Sequence, residues 1–454
     1  MHAEAYLNWD DALTKLAEQL RENSAQLHEI CGSNPLVVLR DWKGQIHLCI
    51  PCSADAMNQS KLRPAIQQMK DSLGPLSAAY GEEVADGNNE IGIFVILRDE
   101  LFDPEDIWNS PNLVTLDRTT SPEIYLLDRQ DKEGDWLKIA PPPLENPIPR
   151  AIFFGVKGGV GRSSALTALA LKLAGQGKRV LLIDADFESP GVSSSLLDSS
   201  ARPDYGMVDW LTAQTLGLDG LDDLALRQLV ETSPLSKLTL GKILVAPSHG
   251  IRTQAYVSKL GRVYRTTTEG LTFSQRLGDL VSTLERLHDA DVTLIDSRAG
   301  IDDTAAAAIT QLNARVTFMF AINTQQTWDA YGLLFSHLQR HPSLNTDTDF
   351  RSKLRLVSAL TPEEASLKGY WGSFREAAYQ VCASGLYDNV AGDDNSERFN
   401  FSFDDEDAPH FPFRITWDEV LRAFDPVREP SQLEPKVMAK VFDDFLTRAE
   451  RLLS

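Results

Sequence analysis

The stretch Ala151-Ile152-Phe153-Phe154-Gly155-Val156-Lys157-Gly158-Gly159-Val160-Gly161-Arg162-Ser163-Ser164 decides the fold. An apolar run of strand length feeds a glycine-rich turn, and an alanine- and leucine-rich helical segment follows. Glycines in such a turn let backbone N–H groups point inward without Cβ clashes. The N-terminus of the following helix adds a partial positive charge. The combination is a cradle for phosphate, which makes Gly158, Gly159, Val160, Gly161, Arg162, Ser163 and Ser164 candidate binding residues. A hydroxyl in the first helical turn can ligate Mg²⁺, and Ser163 holds that position.

Working outward, short apolar runs at 151–156, 180–183, 243–246, 292–295, 316–322 and 354–358 read as strands. Helical patterns fall near 163–175, 272–289, 301–312, 326–340 and 369–385. Short strands without polar alternation, separated by amphipathic helices, predict an α/β fold with a mostly parallel sheet covered on both faces. Two of the runs end in acid: Val180-Leu181-Leu182-Ile183-Asp184-Ala185-Asp186 and Val292-Thr293-Leu294-Ile295-Asp296. Ligands of open α/β sheets bind at the carboxyl ends of the strands. Carboxylates there can hold Mg²⁺ through water and orient an attacking water, the protein's two tasks in phosphoryl transfer to water.

On these residues the chain resembles the deviant-Walker P-loop ATPases of the ParA/MinD type, in the SIMIBI class. The likeness runs from about 150 to 360, and more loosely to 425. It rests on Lys157-Gly158-Gly159-Val160-Gly161, Asp184-Ala185-Asp186, Asp296-Ser297-Arg298-Ala299-Gly300 and Asn323-Thr324-Gln325-Gln326. The resemblance implies ATP and Mg²⁺ as ligands and a homodimer that closes on ATP. It implies that Lys157 reaches the partner's phosphates, Asp186 positions the lytic water, Asp296 holds the Mg²⁺ shell and Asp184 supports that network. Asn323 is the corresponding nucleotide-side residue after a strand. The second loop lysine of the family is Arg162 here, which keeps the charge but is longer, planar and forked. Arg298 stands where the family often has proline and is a candidate phosphate contact or a salt-bridge partner of Asp302 or Asp303.

The chain has 454 residues and a formal net charge of -21. Residues 1–150 carry 25 acids and 13 bases, 151–340 carry 19 and 18, and 341–454 carry 21 and 13. The nearly neutral middle suits a polyanionic ligand, while the acidic whole disfavours non-specific attraction to DNA or anionic membranes. Pro141, Pro142, Pro143, Pro147 and Pro149 mark a stiff linker over 141–149. It follows a small N-terminal α/β domain, 1–140, and precedes an ATPase domain, 150–454. The first domain is expected to hold a helix through Leu13, Leu16, Leu20 and Leu27, a hairpin of 37–40 and 45–50, a helix around 60–79, and strands at 91–97 and 123–127. It carries no catalytic constellation and reads as an interaction or regulatory module.

Four further features have bland and functional readings. His28, Cys31, Cys49 and Cys52 have the side chains for zinc but lack a second Cys pair and a glycine knuckle. Residues 252–276 hold five bases against one acid and read either as a solvated face or as a DNA contact. The acidic segment 388–407 reads as a surface loop. The helix 436–453 has one apolar face and near-neutral charge, which favours packing on the ATPase core over a membrane. No apolar run approaches the length of a membrane span and no signal pattern opens the chain, so a cytoplasmic location is expected. The reading is an ATP-dependent dimerisation switch that hydrolyses ATP slowly and controls a partner protein through the N-terminal domain. The alternatives are a non-hydrolysing nucleotide sensor and a DNA-segregation ATPase.

Overall fold

The computed structural model describes residues 9–32, 34–41, 45–52, 64, 82–83, 91–92, 94–101, 104–110, 113–117, 120, 122–129, 135–138, 140–142, 146–198, 201–215, 223–252, 255–267, 271–339, 341, 343–344, 346, 349–388 and 399–454. The chain divides into two compact units, Met1–Gly134 and Asp135–Ser454.

The first unit holds β1 (Leu36–Arg40), β2 (Ile46–Ile50), β3 (Glu82–Glu83), β4 (Ile91–Gly92), β5 (Phe94–Leu97), β6 (Val114–Asp117) and β7 (Ile124–Asp128). Five of them form one mixed sheet in the order β5-β2-β1-β7-β6. β1 and β2 form the expected hairpin, with Val38 opposite Leu48. The expected strand over 91–97 is divided: β4 pairs with β3 in a separate ribbon, while β5 joins the main sheet beside β2. Gly92 weakens the run at that point. Helices Trp9–Glu22 and Ser24–Cys31 bury Leu16, Leu20, Leu27 and Ile30 against the face made by Leu36, Val38, Leu48 and Ile50. The expected helix around 60–79 lies outside the described residues apart from Pro64. Cys49 faces the other side of the sheet, with Ile107 and Leu127, while Cys31 and Cys52 belong to the first face. The suggested zinc quartet is therefore not brought together. No metal cluster of His, Cys, Asp or Glu occurs among the described residues.

The second unit is built on an eight-stranded sheet of β8 (Arg150–Gly155), β9 (Arg179–Ala185), β10 (Glu231–Thr232), β11 (Lys242–Ala246), β12 (Val292–Ala299), β13 (Val316–Ala321), β14 (Leu354–Thr361) and β15 (Phe413–Thr416). The order is β10-β11-β9-β12-β8-β13-β14-β15, parallel throughout except for β10 at one edge. Both faces are covered, which explains the lack of polar alternation in the strands. Ala151, Phe153, Val180 and Leu182 point to the layer of helices Arg162–Gly175 and Pro435–Leu453. Ile152, Phe154, Leu181 and Ile183 point to helices Phe273–Leu287, Gln325–Leu338 and Glu364–Gly385. The expected helix over 301–312 is α-helical over Asp303–Ala306 and continues as a π-helix over Ala307–Gln311. At the amino end of the unit, Asn313 Nδ2 donates to the Pro141 carbonyl at 2.6 Å and Gln311 Nε2 to that of Lys138 at 2.6 Å, so these backbone groups pack on the second unit. No helix among the described residues is long and apolar enough to cross a membrane.

The C-terminal helix docks on the sheet as its apolar face predicts. Phe445 is fully buried, with its ring 5.0 Å from that of Phe318 and 6.2 Å from those of Phe153 and Phe413. Phe445→Ala is expected to cost about 3–5 kcal/mol of unfolding free energy by denaturant titration. A loss under about 1 kcal/mol would mean that the helix is not part of this core.

Candidate functional site

The loop between β8 and helix Arg162–Gly175 has the conformation its glycines predict. Gly159 (φ 73°) and Gly161 (φ 80°) lie in the left-handed region, where a side chain is strained, and Val160 between them is buried as an anchor. Gly161 is the N-cap, so the helix's free N–H groups open at the loop. Gly155 allows the loop to fold back, since a Cβ there would lie 3.3 Å from both the Lys157 carbonyl and Val160.

Two neighbouring strands deliver the three carboxylates to this corner. β12 lies between β8 and β9, with Asp296 in register with Asp184. Ser163 Oγ donates to Asp296 Oδ2 at 2.8 Å. Asp184 Oδ2 accepts from the backbone N–H and the hydroxyl of Ser193, at 3.1 and 2.6 Å. Asp186 Oδ2 pairs with Arg162 Nη2 at 3.2 Å, and its Oδ1 accepts from the Ser189 N–H at 3.3 Å. The other Arg162 branch donates through Nη1 to the Ser297 carbonyl. All four groups are buried: Asp184 is 0%, Asp296 1%, Asp186 5% and Arg162 8% exposed.

Burial sets the electrostatics. Loss of solvation pushes the Asp184 carboxyl up to about 7, with further upward pressure from Asp296 and a smaller opposing effect from Ser193. Desolvation also raises Asp296 to about 6, against the Arg162 charge and the Ser163 hydrogen bond. Asp186 is raised by desolvation as well, with Arg162 opposing the shift. Asp184 Oδ1 and Asp296 Oδ1 have no hydrogen-bond partner among the described residues. Buried hard oxygens without donors fit a divalent cation such as Mg²⁺.

The other expected residues lie nearby in different settings. Lys157 donates through Nζ to Gln326 Oε1, at the start of helix Gln325–Leu338. Asn323 is committed to the next layer: its Oδ1 accepts from Trp328 Nε1 at 2.9 Å, and its Nδ2 donates to Ser373 Oγ at 2.8 Å. Arg298 pairs with Asp302, one of the two acids expected, and also with Glu188, each at 2.6 Å. Of the bases in 252–276, Arg276 is fully buried and donates to the carbonyls of Leu211, Val263 and Arg265. Lys259 pairs with Asp209 and Arg252 with Asp204, which leaves Arg262 and Arg265 exposed. The stretch is therefore partly a structural device rather than one basic face.

One part of the site is invisible in the sequence. A cavity of about 400 Å³ opens from Gly159–Ser164 toward Leu360, Trp417, Leu421 and Phe424. Leu360 is held at φ 51°, rare for a branched side chain, beside an irregularity in the β14–β15 pairing. The short run 413–416 follows an acidic stretch and gives little periodicity, so only its pairing with β14 shows that Trp417 faces the loop's cavity.

Residues 151–360 match the family described as the CobQ/CobB/MinD/ParA nucleotide binding domain. The second unit therefore carries a ParA/MinD-type P-loop domain, the class that its loop and strand ends define. The putative arsenical pump-driving ATPase 2 of Aquifex aeolicus (strain VF5) is 57% identical over 37 residues, 8% of this chain and 12% of that protein. The chain thus aligns with only about an eighth of that relative's length. Among solved structures, a ParA family ATPase from Chlorobium tepidum TLS is 14% identical with a TM-score of 0.41, covering 65% of this chain and 98% of its own. A Cyanothece McdA variant in complex with ATP is 14% identical with a TM-score of 0.42, covering 67% of this chain and 96% of its own.

The raised carboxyls give a pH test. A folded protein that binds protons its unfolded chain has released loses stability as pH rises, here from the ordinary carboxylate range up to about 7. Asp184→Asn removes the buried charge and is expected to raise the melting temperature without nucleotide at pH 8, with a clearly smaller gain at pH 5. An equal drop at both pH values would contradict the assignment.

Proposed function

We propose that this protein is an ATP·Mg²⁺-dependent dimerisation switch that hydrolyses ATP slowly and passes the change to a partner protein through its acidic first unit. The observation that carries the reading is the Ser163–Asp296 hydrogen bond at the mouth of the glycine loop, flanked by Asp184 on the adjacent strand and Asp186 just beyond its end. The N–H groups of Gly158 to Ser164 would hold the phosphates, and Ser163, Asp184 and Asp296 would hold Mg²⁺. When bound, the metal would neutralise charge on the phosphate oxygens. The end of the cavity formed by Leu360, Trp417, Leu421 and Phe424 suits the nucleobase, with the loop at its phosphate end.

The protein's own steps follow from its contacts. Lys157 exchanges Gln326 for phosphate oxygens of the partner protomer, so closure is tied to nucleotide. Asp186 accepts a hydrogen bond from the attacking water and orients it. The domain division is part of the proposal: residues up to about 140 bind the partner, 141–149 connect, and 150–454 form the engine in the cytoplasm. One observation favours a second reading, a sensor that binds ATP without turnover, because Arg162 engages Asp186 directly.

Light scattering in Mg²⁺ with ATP, ADP or no nucleotide tests the switch. The mass is expected to double only with ATP, to stay doubled in Asp186→Ala, and to remain that of one chain in Lys157→Ala. A mass that ignores bound ATP would reject the dimer switch.

A further inference from the structure

We propose that Arg162 is a positioning residue that holds Asp186 in an inactive arrangement, and that phosphate oxygens release Asp186 by competing for the guanidinium. The inference rests on the nucleotide-switch reading and concerns the regulation of that same site. Three observations carry it. The guanidinium is buried and engaged on both branches, by Asp186 and by the Ser297 carbonyl. Each oxygen of Asp186 already accepts one hydrogen bond, from Arg162 or from the Ser189 N–H. Arg162 also begins the helix at the glycine loop, so the cation that ties down Asp186 is the one closest in sequence to the phosphate cradle.

A planar fork makes the exchange physically distinct from what lysine would do. Arginine satisfies two acceptors at once, and a phosphate presents two oxygens at matching spacing. Swapping Asp186 for phosphate keeps the guanidinium paired in a buried site, where an unpaired charge is costly. The released carboxylate is then free to accept from a water. Segment 186–193 is drawn into the exchange, because it runs from Asp186 through Ser189 to Ser193, whose N–H and hydroxyl hold Asp184.

The test is a double-mutant cycle on the full chain, read as equilibrium affinity for the non-hydrolysable analogue AMP-PNP by calorimetry. Asp186→Asn removes the competitor and is expected to tighten AMP-PNP binding roughly tenfold. In the Arg162→Met background the same substitution should change affinity less than about twofold. Where Arg162→Met binds too weakly to measure, Arg162→Lys replaces it, and the gain should fall below about threefold because one ammonium cannot fork. Equal tightening in all backgrounds would reduce the effect to simple charge repulsion and overturn the proposal. Absence of AMP-PNP binding to the wild-type chain would instead remove the nucleotide reading beneath it.

Discussion

Three carboxylates and a single guanidinium are buried together where β9 and β12 meet the glycine loop, and the rest of the second unit is arranged around holding them there. An isolated buried charge costs several kcal/mol, so such a corner persists only with compensation at every group. Ser193 supplies two hydrogen bonds to Asp184, Ser163 one to Asp296, and Arg162 the countercharge for Asp186. Two carboxylate oxygens still have no donor among the described residues, and all three carboxyls are pushed above the ordinary carboxylate range. A site so short of positive charge fits a cation.

The surrounding structure holds this corner from both sides of the sheet. On one side, Phe442 and Val441 of the C-terminal helix line the loop's cavity while Phe445 anchors the same helix in the core. On the other, Arg298 links Glu188, just after Asp186, to Asp302, which caps helix Asp303–Ala306. Tyr264 donates its hydroxyl proton to Glu188, and Tyr256 donates to the Phe187 carbonyl at 2.7 Å. Segments 186–189 and 298–302 therefore share partners, and a shift in one must repack the other.

Much of this was legible in the sequence because the relevant signals are local. The glycine loop, the strand-end aspartates and the parallel strands follow from short patterns, and the six strands expected in the second unit lie within a few residues of their places, while β10 and β15 were not expected. What was hidden depends on pairing across long separations. Trp417 and Leu360 meet the loop only because β15 joins β14 across more than fifty residues of sequence. Arg276 looks like surface charge in sequence, yet it fills a buried pocket of carbonyls that no periodicity announces. The commitment of Asn323 to Trp328 and Ser373 likewise required the helix packing to be known. In the first unit, alternation across β2 separates Cys49 from Cys31 and Cys52, which spacing along the chain does not show.

Equilibrium binding of ATP to the full chain, in Mg²⁺ and in excess EDTA with Ser163→Ala beside the wild type, tests the proposed nucleotide·metal site directly. Saturable binding of one ATP per chain is expected, weaker in EDTA, with the Mg²⁺-dependent gain largely lost in Ser163→Ala. Binding that is absent, or equally strong with and without Mg²⁺, would contradict the conclusion that these aspartates and this loop form one site.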